Sequence, residues 1–112
     1  MEFLALIHGS ENGWNELSDD ERQTVYQRYM KFSERPEVVG GAELQETTTA
    51  TTVRVRNGDS MVTDGPYAEV KEALGGFLDT KLPDLDTALT YAAKIPASEY
   101  GSIEVRPVVE RE

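Results

Sequence analysis

Residues 52 to 63 read TVRVRNGDSMVT, and this stretch decides the fold of the chain. Valine and arginine alternate through its first half, which is the period-two pattern of a strand. Asn57-Gly58 follows, and this dipeptide is the strongest short signal for a two-residue hairpin turn. Ser60 to Thr63 then returns as a second strand. The sequence therefore predicts a β-hairpin in the middle of the chain.

The residues on either side of the hairpin extend the β-rich region from Val38 to Asp64 and beyond. Val38-Val39 and Ala42 to Gln45 are separated by a Gly40-Gly41 break, and the threonine-rich segment Thr47 to Thr52 is β-branched. After the hairpin, Gly75 to Leu82 reads as a further strand that Pro83 closes. Phe77 is expected on the face of this strand opposite Leu78 and Leu82.

Two helices flank the β-rich region. Ser18-Asp19-Asp20-Glu21 has the spacing of a capping box and starts the first helix, which Pro36 ends near Glu34. Its apolar face is made by Val25, Tyr26, Tyr29 and Phe32. Asp84 is a good N-cap for the second helix, whose apolar positions continue to Ile95 before Pro96.

The first and last strands of the sequence complete the pattern. The apolar run from Phe3 to Ile7, ended by His8-Gly9, reads as a strand buried on both faces, and Ser102 to Val108 reads as the last strand. The order of elements predicts an α+β fold of the ferredoxin-like βαββαβ type with an added β-hairpin. A chain of 112 residues suits a single domain, residues 1–112.

The composition argues against several classes of protein. The net charge of -10 opposes binding to nucleic acid or to an anionic membrane surface. The chain has no cysteine, and no metal-ligand spacing or phosphate-binding glycine loop is present, so neither a metal nor a cofactor is expected. The apolar run at the N-terminus is too short for a membrane span or a signal core, so a cytoplasmic location is expected.

The fold plan also predicts a homodimer. Both helices of a ferredoxin-like unit lie on one face of the sheet, yet the first strand is apolar on both faces. A second subunit on the other face is the simplest cover, because a Leu-sized side chain left in water forgoes roughly 1.5 to 3 kcal/mol.

A longer pattern resembles a known family. It comprises the hairpin, the segment Val62 to Glu72 with the motif Asp64-Gly65-Pro66-Tyr67, and Leu74 to Phe77, and it continues through Pro83 to Asp86 and Tyr100 to Val108. This pattern resembles the YCII-related family, in the branch named for its Asp-Gly-Pro-Phe (DGPF) motif, with Tyr67 in place of the usual Phe. The resemblance implies a ferredoxin-like unit that pairs into a dimeric α+β barrel.

The resemblance implies little about chemistry. Relatives are suspected enzymes with an acid/base pair of a first-helix histidine and an aspartate after the central strands, but Asp19 to Glu34 here contains no histidine. Asp64 carries over as the aspartate. Relatives encoded beside extracytoplasmic-type sigma factors imply a regulatory role by association only.

Asp64 and His8 are the candidate catalytic residues. Asp64 matches the family motif, but Asp-Gly-Pro is also good turn chemistry, in which Asp bonds the following backbone and Pro starts a helical turn running to Leu74. His8 is the single histidine and could carry protons near neutral pH. A strand-end histidine bonded to a neighbouring backbone is the alternative, so both residues have a structural as well as a functional interpretation.

The candidate ligand-binding residues are Tyr67, Glu69, Lys71, Asp79 and Arg106. Those in the motif would be solvent-facing charges if they lie in a helical turn. Asp79 with Lys81, and Glu104 with Arg106, point away from their apolar neighbours by strand alternation. If that face meets a second subunit, these charges must pair across it and would form a polar pocket at the interface.

Two functions remain open from the sequence. The first is a homodimer whose barrel pocket binds or turns over a small metabolite by acid/base chemistry without a cofactor. The alternative is a non-enzymatic regulatory or stress-related dimer. The first predicts a cavity with convergent polar groups of shifted pKa, whereas the second predicts an exposed apolar patch and no such cavity.

Overall fold

The computed structural model describes residues 1–111 and has an α+β fold. Within these residues the chain forms six strands, three α-helices and two short 3₁₀ segments, Thr47–Thr49 and Pro96–Glu99. The strands are β1 (Glu2–Gly9), β2 (Val38–Glu43), β3 (Thr51–Arg56), β4 (Asp59–Asp64), β5 (Ala73–Lys81) and β6 (Ser102–Pro107). The helices are α1 (Glu11–Asn15), α2 (Asp19–Ser33) and α3 (Leu85–Ala92).

Four strands form an antiparallel sheet in the order β2-β5-β1-β6, as the ferredoxin-like plan predicts. The predicted hairpin is confirmed as a separate two-stranded sheet of β3 and β4. Its turn residues Asn57 and Gly58 both have positive φ, 53° and 83°, as a type I′ turn requires. The sequence therefore predicted the fold class and the added hairpin correctly.

The core lies between one face of the sheet and the helices. Phe3 and Ala5 of β1 and Leu78 of β5 are buried on this face, where they meet Phe32 of α2 and Ile95 after α3. Ser18 accepts a hydrogen bond from the backbone N–H of Glu21, and Glu21 accepts one in return from Ser18, which confirms the capping box at the start of α2.

Among residues 1–111 no helix lies on the opposite face of the sheet, and we call it the open face. Leu4, Leu6 and Phe77 lie on it and are half-buried in the single chain. Within residues 1–111, β1 is therefore buried on one face only, and the cover of its other face by a second subunit stays a prediction.

Five local predictions were wrong. The segment after β1, expected to be a loop, contains α1, because Ser10 accepts a hydrogen bond from the N–H of Gly13 and caps it. The Gly40-Gly41 break does not exist, since β2 runs through both glycines along β5. Thr47–Thr49 is 3₁₀ rather than strand, because the carboxylate of Glu11 accepts hydrogen bonds from the Thr47 backbone and hydroxyl.

The fourth wrong prediction is the helical turn after Pro66. The backbone forms bends there and no helix. The second helix is also shorter than predicted and ends at Ala92, although Ile95 is buried as expected. Pro96 disfavours α geometry for Ile95 and begins the 3₁₀ segment that follows. None of the helices in the described part of the chain is long and apolar enough to cross a membrane.

Candidate functional site

A cleft of about 720 Å³ lies between the two N-terminal helices and the β2–β5 half of the sheet. Its floor comes from the sheet, with Ile7 and Leu78, and from the whole length of β2. Its wall carries four aromatic side chains: Trp14, Tyr26, Tyr29 and Tyr100. The site is therefore a predominantly apolar cleft within one chain, on the helix side of the β2 edge.

The position of Trp14 is fixed by its neighbours. Its ring meets that of Tyr26 edge to face, with centroids 5.4 Å apart and planes at 77°. Arg22 of α2 donates hydrogen bonds to the carbonyl oxygens of Trp14, at 3.2 Å, and Asn15, at 2.8 Å. The short helix α1 is thereby tied to α2, and the indole is held on the cleft wall.

Glycines make the floor of the cleft. Gly41 and Gly76 line it on neighbouring strands. A β-carbon at Gly41 would lie 2.6 Å from the carbonyl oxygen of Phe77, and one at Gly76 would lie 2.6 Å from that of Ala42. Only glycine lets β2 and β5 approach this closely, and the missing side chains leave space above the strands.

The polar groups of the cleft are phenols and carboxylates. Tyr26 donates a hydrogen bond of 3.1 Å to Glu43, and burial followed by this bond raises the pKa of Tyr26. Burial raises the pKa of Tyr29 to about 12 and also raises the pKa of Tyr100. All three phenols are therefore neutral at physiological pH. The O–H of Tyr26 is donated to Glu43, which leaves those of Tyr29 and Tyr100 as donors for the cleft. Among the described residues that line the cleft, none is Lys, Arg or His.

The two predicted catalytic residues, His8 and Asp64, lie outside this cleft. They make no hydrogen bond with each other. His8 is the last residue but one of β1, and its Nε2 lies 3.2 Å from Oε1 of Glu104 on the open face. Asp64 is exposed at the end of β4, and among the described residues its carboxylate makes no hydrogen bond. The turn there is held instead by the Gly65 N–H on Ala50 and by the Thr52 hydroxyl on the Gly65 carbonyl.

The predicted ligand-binding residues fall into two groups. Tyr67, Glu69 and Lys71 are exposed in the bends after the hairpin, and Lys71 lines a second cleft of about 480 Å³ with Glu11. Asp79 and Arg106 flank Leu4 on the open face, as strand alternation predicted. Arg106 is exposed in the single chain, as are Lys81 and Glu104, so the predicted polar pocket is not formed within one subunit.

Asp79 is the unusual member of the second group. Its Oδ1 is buried, yet has no hydrogen-bond partner within the described chain. The neighbouring carboxyl of Asp79 raises the pKa of Glu2 at the start of β1. Within residues 1–111, no three His, Asp or Glu side chains are grouped so as to hold a metal ion.

Tyr26 and Tyr29 lie on the side of the first helix that faces the sheet, as expected, and Tyr29 packs against the core. The cleft beside them was not predicted, because Trp14 was expected in a loop. A usable signal was nevertheless present. Aromatic residues before and within the first helix accompany two glycine pairs, Gly40-Gly41 and Gly75-Gly76, in strands that the fold places beneath that helix.

Comparison with known proteins identifies the family. The model of the YCII-related domain matches residues 1–112 of the chain. An uncharacterised protein of Rhizobium meliloti (strain 1021) is 35% identical over 115 residues, which cover 96% of this chain and 92% of that protein. The match spans the β-sheet, the helices and the aromatic cleft together, and the chain belongs to the YCII-related family.

Proposed function

We propose that this protein binds a small molecule in the aromatic cleft, and that the ligand has an aromatic or alkyl body and no negative charge. The observation that carries the proposal is the wall formed by Trp14, Tyr26, Tyr29 and Tyr100 over a glycine floor. Clefts of this size with an apolar lining and a few polar groups are typical of small-molecule sites.

The polar residues that line the cleft support a ligand without negative charge. Glu11, Glu43 and Glu46 line the cleft without a cationic side chain among its described residues. An anion would lose its hydration there without gaining a counter-charge, whereas aromatic faces and carboxylates favour a neutral or cationic group. The neutral phenol of Tyr29 suits a hydrogen-bond acceptor on the ligand. His8 and Asp64 lie outside the lining, so we assign binding and no reaction.

Trp14 provides the test, because it is the single tryptophan of the chain and lies on the cleft wall. Its indole N–H gives one resolved peak in a ¹H–¹⁵N spectrum. Three probes of the same shape should be titrated: 2-naphthalenemethanol, 2-naphthylmethylamine and 2-naphthoate. We expect the alcohol and the amine to shift this peak at concentrations where the naphthoate does not. Equal shifts with all three would contradict the charge preference.

A pair of variants localises the binding. Tyr26→Ala removes part of the cleft wall and should weaken binding of the amine by about tenfold or more, as the loss of a ring contact worth roughly 1.4 kcal/mol would do. Tyr67→Ala makes the same chemical change at an exposed position outside the cleft and should leave binding unchanged. A loss of binding in Tyr67→Ala alone would move the site to the Asp64-Gly65-Pro66 motif.

We also propose that the protein is a homodimer of the DGPF branch that pairs through the open face. Leu4, Leu6 and Phe77 give this face an apolar centre, and a second subunit covering it would supply the donor that Oδ1 of Asp79 lacks. Light scattering at micromolar concentration should give twice the mass of the chain. A monomer would contradict the proposal.

A second candidate function is a regulatory role exercised through contact with another protein. The uncovered apolar centre of the open face favours it, since exposed apolar patches mark interaction sites. This function becomes the better one if none of the three naphthalene probes shifts the Trp14 indole peak.

A further inference from the structure

The β3–β4 hairpin is an amphipathic ribbon whose apolar face is uncovered. Cross-strand pairing places Val53 opposite Val62 and Val55 opposite Ser60 on one face, and Arg54 opposite Met61 on the other. The three valines are exposed by 65% (Val53), 58% (Val55) and 69% (Val62). One face of the hairpin is thus a valine surface that the single chain leaves in water.

This hairpin stands away from the body of the protein. Neither core cluster of the described chain includes any of its residues. The radius of gyration is 16.1 Å, whereas a compact chain of this length has about 13 Å. A two-stranded hairpin is only marginally stable alone in water, so this ribbon needs a surface to pack on.

The charge of the hairpin indicates the kind of surface on which it packs. Residues 51–64 carry two arginines, Arg54 and Arg56, and two aspartates, Asp59 and Asp64, and so have no net charge, in a chain of net charge -10. Two copies of such a chain repel each other, and a neutral apolar ribbon is where they can meet with least repulsion.

The open face of a second copy complements the ribbon. Its apolar centre is Leu4, Leu6 and Phe77, and it carries three carboxylates against two cationic side chains. The five charged residues are Glu2, Asp79, Glu104, Lys81 and Arg106. Arg54 and Arg56 lie on the other face of the ribbon, so the contact that the valine face offers to Leu4, Leu6 and Phe77 is an apolar one.

We infer that the β3–β4 hairpin is an exchanged arm, which packs its valine face on the second copy of this chain. The inference rests on the proposed homodimer and names the hairpin as the element that contacts the partner. By two-fold symmetry each dimer contains two such contacts, so a change in the arm acts twice on the stability of the dimer.

Two neighbouring residues give the test. Val62→Glu places a charge on the valine face, and Met61→Glu places the same charge on the opposite face of the same strand. We expect Val62→Glu to raise the dimer dissociation constant roughly 100-fold, from the loss of about 1.4 kcal/mol in each of two arms. Met61→Glu should change it less than about threefold, the limit expected for a surface change. Analytical ultracentrifugation over a dilution series measures both.

Labelling gives a second measurement that does not need the dimer to dissociate. The chain has no cysteine, so Val62→Cys and Met61→Cys each introduce one thiol. In the dimer, a maleimide should modify the cysteine at position 62 at least tenfold more slowly than that at position 61, and dilution to the monomer should abolish the difference.

The outcomes separate the proposals. Equal effects of the two glutamates, or equal labelling rates in a dimeric protein, would overturn the arm while leaving the homodimer in place. A monomeric parent protein would overturn both. Ligand binding in the cleft is measured separately, by the shift of the Trp14 indole peak. An absence of binding would therefore not contradict the proposed arm.

Discussion

The hydroxyl of Tyr26 lies 3.1 Å from Oε1 of Glu43, and this hydrogen bond joins α2 to the last residue of β2 at the exposed edge of the cleft. The bond fixes the distance between the aromatic wall and the glycine floor at their open end. Since the tyrosine is 37% exposed, water competes with the bond and limits its contribution to stability.

Replacing this tyrosine tests the bond. Tyr26→Phe should lower the free energy of unfolding by about 0.5 kcal/mol, the low end of the range for a hydrogen bond, because the pair is partly exposed. Urea unfolding measures the change. Tyr67→Phe removes a hydroxyl from a residue 79% exposed and should have no measurable effect, and a similar loss in both variants would show that the bond contributes nothing specific.

Tyr29 should make the protein less stable at alkaline pH. Its pKa is raised to about 12 in the folded state, mainly by burial, against a usual value of 10. The unfolded chain therefore loses the phenol proton first, and the stabilisation present below pH 10 is lost as the pH rises towards 12. Denaturant unfolding from pH 9 to 11.5 should show a decline that is shallower in Tyr29→Phe. Tyr67→Phe is the control, and a profile unchanged by Tyr29→Phe would contradict the assignment.

The two glycines of β2 should respond differently to an added methyl group. At Gly41 the new carbon would lie 2.6 Å from the Phe77 carbonyl oxygen and 2.8 Å from Leu78, so Gly41→Ala should cost about 1–3 kcal/mol. At Gly40 the nearest atom, Cβ of Asp79, is 4.0 Å away, which is ordinary contact. Gly40→Ala should therefore be nearly neutral in thermal unfolding. A larger loss at position 40 than at 41 would contradict the described packing of β2 on β5.

Variants at Asp64 and Gly65 distinguish a role of the aspartate side chain in the motif from a role of the glycine backbone. Asp64→Asn should change the free energy of unfolding by less than about 0.5 kcal/mol, because the exposed carboxylate makes no hydrogen bond among the described residues. Gly65→Ala should cost roughly 1–2 kcal/mol, because φ at this position is +97°. Calorimetry on both variants measures this. A large loss in Asp64→Asn would show that its carboxylate supports the turn after all.

The fold was predictable because its signals are local. The Asn57-Gly58 turn and the Ser18 capping box each specify a backbone geometry within a few residues, and the structure confirms both. The order of the elements then leaves few topologies, and the sheet order β2-β5-β1-β6 is among them.

The cleft was not predictable because its parts are distant in sequence. Trp14, Gly41 and Tyr100 become neighbours only when α1 is tied to α2 and β2 lies beside β5. The contact between Glu11 and Thr47, which turns a threonine-rich strand pattern into 3₁₀ structure, is equally non-local. Local propensity is overridden where a side chain 36 residues away satisfies the backbone.

The glycine floor has a consequence for how a ligand would meet this protein. Because the space is left by absent side chains on hydrogen-bonded strands, it exists before any ligand arrives, and no loop must open or order itself to create it. Such a preorganised site gives up little conformational entropy on binding. It also links the shape of the site to the pairing of the strands: a larger residue at Gly41 or Gly76 would meet the backbone of the neighbouring strand, so the floor cannot change without moving β2 from β5.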